Sequence, residues 1–99
     1  KEAFKYPSIQ KDMAFIIDRK TDVEEVIKTI KKASTKTLQE VTVFDVYEGD
    51  KIDSTKKSIA FNLIFNGMDR TLTDEEVMTI FNSIIEKVEN IHHAELRDK

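Results

Sequence analysis

Four residue types at suggestive spacing carry what chemistry this chain offers: Asp45 and Tyr47 two apart, Ser58 eleven residues on, and Ala14 far upstream. Tyrosine presents a flat ring for stacking, aspartate an acceptor, serine both a donor and an acceptor, and alanine a gap that lets a ligand approach. Such a set suits an unstacked nucleobase, which is recognised by stacking plus hydrogen bonds to its edges. Other chemistry is poorly provided for. His92 and His93 are adjacent, so on a strand they point apart and cannot share a metal. Asp74, Glu75 and Glu76 sit where acidic residues complement a helix start. There is no P-loop, paired-glycine fingerprint or nucleophile elbow. The pattern therefore suggests a binding surface with no catalytic residues, no metal and no cofactor of its own.

The four residues meet only if the elements around them are arranged correctly. Met13-Ala14-Phe15-Ile16-Ile17 reads as a first strand, bounded by Asp12 and Asp18. Thr21 followed by Glu24 has capping-box form, and Val23, Val26, Ile27 and Ile30 then make one helical stripe ending near Ala33. Leu38 to Tyr47 is β-branched and aromatic. Ser58 to Asn66 alternates, and the Glu48–Thr55 loop joins these two runs as a hairpin. Thr73 and Glu76 repeat the capping box before Val77, Ile80, Phe81, Ile84, Ile85 and Val88. A last short strand is expected between His92 and Arg97, with Ala94 and Leu96 inward. The order β-α-β-β-α-β is the ferredoxin-like α+β sandwich: an antiparallel four-stranded sheet with both helices on one face.

Alternation along each strand then assigns the faces. Met13, Phe15 and Ile17, Ile59, Phe61, Leu63 and Phe65, and Phe44 with Val46 are expected in the core. Ala14, Ile16, Asp45, Tyr47, Ser58, Ala60, Asn62 and Ile64 are left on the open face, together with Val41 and Val43. So many apolar residues there suggest partial cover, for which Phe4 to Ile9 in the extended lead-in (residues 1–10) is the candidate.

Ninety-nine residues fit one domain, residues 1–99, and with 39% hydrophobic residues there is material for one modest core. No apolar run is long enough to span a membrane, no signal peptide opens the chain, and there is no cysteine. Cytoplasm is the default expectation. A net charge of −3 does not mark a nucleic-acid binder, although Lys31-Lys32, Lys36, Lys51 and Lys56-Lys57 are locally basic, and no DNA or membrane partner is expected. The abrupt start at Lys1-Glu2 suggests a piece of something longer.

Several blocks occur in an order with its own meaning: Tyr6-Pro7, Lys11-Asp12-Met13-Ala14-Phe15, Phe44-Asp45-Val46-Tyr47-Glu48-Gly49, Lys57-Ser58-Ile59-Ala60-Phe61, Arg70-Thr71-Leu72-Thr73 and Ala94-Glu95-Leu96-Arg97-Asp98. Together they resemble the ferredoxin-fold anticodon-binding domain at the C-terminus of bacterial phenylalanyl-tRNA synthetase β subunits, over essentially the whole chain. The resemblance implies an excised, noncatalytic C-terminal domain that binds the anticodon stem-loop of tRNA(Phe). Its partners would be the α subunit and the other β-subunit domains of an (αβ)2 ligase, with ATP and magnesium bound elsewhere. It also implies Ala14, Asp45, Tyr47 and Ser58 as anticodon contacts, with Tyr47 stacking on the first anticodon base. Lys11, Lys56 and Lys57 are candidates for phosphate contacts. Three positions depart from the family pattern: Gln10-Lys11 replaces a pair of arginines, and Thr55 stands where a glycine is common. From the residues alone, two other readings stay open: a regulatory small-molecule module of the same topology, or a structural docking domain. The sheet lacks the aromatic-glycine signature of an RRM.

Overall fold

The first and third strands, whose apolar residues recur every second position without interruption, build the centre of the molecule. The computed structural model describes residues 5–97. β1 (Ile9–Asp18), α1 (Val23–Ala33), β2 (Leu38–Tyr47), β3 (Lys56–Phe65), α2 (Asp74–His92) and β4 (Glu95–Leu96) follow in that order. They form one antiparallel sheet with strand order β2-β3-β1-β4. Met13, Phe15 and Ile17 on β1 face the same way as their neighbours Phe61, Ile59 and Lys57 on β3. Apolar members of that layer are buried against Val26 and Ile30 of α1 and Val77, Ile84 and Val88 of α2. Both helices therefore cover one face of the sheet and leave the other bare, as the element order predicts. Each fully buried Phe or Ile in this layer stabilises the fold by about 1.5–3 kcal/mol.

The helix starts differ from expectation at one end only. Thr73 and Glu76 form the expected capping box of α2: Thr73 Oγ1 accepts from the Glu76 amide, and Glu76 Oε1 accepts from the Thr73 amide at 2.8 Å. At α1 the cap is Asp22, which accepts from the Glu24 amide, and not Thr21. The Thr21 amide instead closes a turn onto the Asp18 carbonyl.

The largest correction concerns β2. Its ladder to β3 is interrupted at Gln39 and again at Phe44. Each such bulge puts an extra residue in one strand and shifts the alternation by one. Val41 and Val43 consequently lie opposite Leu63 and Phe61 and pack against the core, not on the open face. Beyond the second bulge Asp45 and Tyr47 pair with Ala60 and Ser58, on the open face. Phe44, expected inside, is 57% exposed. Val46 does turn to the helix side opposite Ile59, but at the sheet edge it stays 50% exposed.

β1 also begins earlier than its apolar run, since β3 offers ladder partners back to Phe65. β4 is two residues long; Ala94 is buried, and Leu96 turns to the helix side opposite Phe15 but, on the edge strand, stays 40% exposed. The lead-in is tied at Tyr6 and Ser8 to the end of β3. Buried Asn66, just past β3, donates through Nδ2 to the Tyr6 carbonyl and to Ser8 Oγ, and accepts from the Met68 amide. That anchor is at the opposite end of β3 from Ser58. Ile9 joins the core, and Phe4 lies outside the described residues. No described helix is long and apolar enough to cross a membrane.

Candidate nucleic-acid interface

The ladders fix which side chains are neighbours on the bare face. One row runs Tyr47, Ser58, Ile16, Glu95 across all four strands, and the next runs Asp45, Ala60, Ala14. A third holds Thr42, Asn62 and Asp12, where Asn62 Nδ2 donates to Asp12 Oδ1 at 2.8 Å. All four residues singled out from the sequence thus stand in two adjacent rows. Ala14 and Ala60 are directly paired, which leaves a low floor in the centre.

Ser58 is not the free hydroxyl the sequence suggested, because it is only 3% exposed. Arg97 reaches over the sheet and donates from Nη1 to Ser58 Oγ at 2.9 Å. The Arg97 backbone is fixed too, its amide donating to the Ala14 carbonyl at 2.7 Å. An approaching ligand meets the exposed Arg97 guanidinium before Ser58. Arg97 was missed as a site residue because it comes after a two-residue strand, where periodicity gives no information. The Leu96-Arg97-Asp98 block was its only signal.

Tyr47 is positioned by the loop that begins at Glu48. A Cβ on Gly49 would collide with the Tyr47 hydroxyl oxygen and stand 2.6 Å from Cζ, so the phenol end of the ring occupies space that only glycine leaves open. The rest of the loop is well tied despite the Thr55 departure. Asp53 Oδ1 accepts from both the amide and the hydroxyl of Thr55, and these bonds hold the Asp53 carboxyl below its ordinary value. The Thr55 carbonyl accepts from the Arg19 amide, and Arg19 pairs with Glu48 at 2.8 Å.

The lysines divide between the faces. Lys56 is paired with Asp18, in the open-face register. Lys57 and Lys11 are opposite Ile17 and Leu63, in the helix-face register, and Lys57 Nζ donates to the Thr21 carbonyl at 2.8 Å. Only Lys56 of the three shares a face with Tyr47. His92 ends α2 and its Nε2 lies 2.7 Å from Thr29 Oγ1, while His93 is the left-handed cap; neither is on a strand.

This ferredoxin-like sandwich gathers an aromatic ring, a carboxylate and a tethered guanidinium over two alanines on one sheet face, the arrangement of a binding domain. Residues 5–97 match the family model of the ferredoxin-fold anticodon binding domain, and the chain belongs to that family. The phenylalanine–tRNA ligase beta subunits of Bacillus licheniformis and Fusobacterium nucleatum are each 41% identical to it over 93 residues, and that of Clostridium tetani is 38% identical. Each alignment covers 94% of this chain and 12% of the relative.

Proposed function

We propose that this domain reads the anticodon of tRNA(Phe) as part of a phenylalanine–tRNA ligase. The observation that carries the reading is the convergence of Tyr47, Asp45 and Arg97 around the paired Ala14 and Ala60. Tyr47 stacks on the first anticodon base, and Asp45 accepts from N–H groups on a base edge, as guanine provides. Arg97, held by Ser58, meets the bases from the β4 side as a fork of donors. Ala14 lets them approach the sheet. With a net charge of −3 the domain is suited to choosing bases and not to gripping a backbone. Lys56 is placed for a phosphate; the remaining backbone contacts, the ATP and magnesium, and the docking of an α subunit belong to other parts of an (αβ)2 assembly.

The test is anticodon discrimination by the intact ligase carrying Tyr47→Ala or Asp45→Ala. Each is expected to lose about tenfold or more in preference for the cognate anticodon over a transcript changed at its first base. Unchanged discrimination in both variants would remove the assignment.

A further inference from the structure

Phe44 is the most exposed aromatic residue among those described, and its exposure has a definite structural cause. Val43 before it faces the helices opposite Phe61, so alternation turns Phe44 out beside Ala60, and the bulge that follows brings Asp45 out next to it. There it borders a groove of about 560 Å³ that runs over Ala14 and Ala60 to Leu96 and Arg97, with Asp12, Met13 and Phe81 completing its lining. Ala14 and Ala60 contribute only methyl groups to it, which leaves room beside the phenyl ring. Phe44 and Leu96, both exposed, give that groove an apolar border at each end.

Size and spacing select the ligand. The rows of Ala60 and Ser58, which place Phe44 and Tyr47, are about 7 Å apart, two residues at ~3.3 Å each. That is twice the ~3.4 Å step of a stacked nucleic-acid strand. Two successive bases could reach the two rings only if splayed apart, which is how single-stranded loops are read. Asp45 separates the two positions along the strand, and the groove offers a ring on one side and a cation on the other.

We propose that Phe44 is a second stacking platform, holding in the Phe44–Arg97 groove a nucleobase adjacent in sequence to the one on Tyr47. The site is then a two-base reader, and the bulge is what lets Phe44 and Tyr47, three residues apart, share one face. This rests on the anticodon reading above.

The experiment uses the intact ligase with Phe44→Ala, Phe44→Leu and, as a reference, Tyr47→Ala. Its ligands are tRNA(Phe) transcripts lacking one base, the backbone retained, at the first anticodon nucleotide or at either neighbour. Removing the base that Phe44 holds should weaken binding to the wild type about 5- to 150-fold. Phe44→Ala should bind intact tRNA more weakly by a similar factor and lose its sensitivity to that deletion alone. Phe44→Leu keeps apolar bulk but no aromatic face, so it should unfold like the wild type and bind nearly as poorly as the alanine variant. If Tyr47→Ala abolishes sensitivity at the first base while Phe44→Ala stays sensitive at both neighbours, the second platform is refuted and the anticodon reading stands. If no deletion is sensed by any variant or by the wild type, both fail. If Phe44→Ala instead lowers the melting temperature or loosens the complex with base sensitivity intact, Phe44 packs against protein and the proposal is wrong.

Discussion

Replacing Ser58 by alanine separates two roles for a residue that sits under the proposed ligand site. Its hydroxyl is buried and accepts from Arg97 Nη1 at 2.9 Å. Water can replace this bond on the exposed guanidinium, so the loss to stability should be near 1 kcal/mol, below the ~1.5–3 kcal/mol of bonds to charged groups that stay dry. For a domain of this size that lowers the melting temperature by about 4–8 °C. The effect on tRNA binding has a different origin. A tethered arginine has already given up side-chain freedom worth up to about 2 kcal/mol, and an untethered one must lose it on binding. Ser58→Ala should therefore weaken tRNA binding about 5- to 30-fold at fixed salt. The assay is a cycle in the intact ligase: wild type, Ser58→Ala, Arg97→Ala and the double variant. If Ser58 acts through Arg97, Ser58→Ala costs nothing further once Arg97 is gone. An equal loss in both backgrounds would mean that Ser58 touches the ligand itself, and the tether argument would be refuted.

Gly49→Ala should displace the Tyr47 ring, whose hydroxyl occupies the place the new methyl must take. Binding should fall toward that of Tyr47→Ala, with no further fall when both changes are combined. Asn66→Asp removes the donor that ties Tyr6 and Ser8 to the end of β3 and puts a carboxylate in a fully buried place. It should cost about 2–4 kcal/mol, measured by urea denaturation. Glu76 gives a pH test. The Arg70 guanidinium first, and then the Thr73 amide, hold its carboxyl down to about 2 from an ordinary 4.5. A depressed folded value means the stabilisation is complete above about pH 4.5 and fades as pH falls toward 2. Glu76→Gln should melt below the wild type at neutral pH, and the difference should shrink through that window.

The parts of this structure legible in the sequence are those where one rule holds over a long enough run. β1 and β3 alternate without a break, so their core and open faces follow directly from Phe15, Phe61 and Leu63. Both helices follow from stripes of apolar residues, and the α2 start from Thr73 and Glu76. The reading of β2 failed at Val41, Val43 and Phe44 because Val and Phe are equally at home on either face of a strand. Nothing in their types marks where a bulge resets the phase. Asp45 and Tyr47 nonetheless came out on the correct face, since a buried unpaired aspartate is costly whatever precedes it. At α1, Thr21 and Asp22 are both good caps, and composition does not choose between neighbours. Ser58 was placed on the right face but not under its cover, because that cover is Arg97, which lies beyond the reach of strand periodicity.

The bulge at Phe44 has a consequence for how this domain can change over time. It divides β2 into a half that packs, through Val41 and Val43, and a half that displays Asp45 and Tyr47. Substitutions in the displayed half leave the packed half untouched, so specificity can drift without a matching repair of the core. Deletion of Phe44 itself would close the bulge and leave Val43 opposite Phe61 and Asp45 opposite Ala60, so this strand can lose its extra residue without turning either half over.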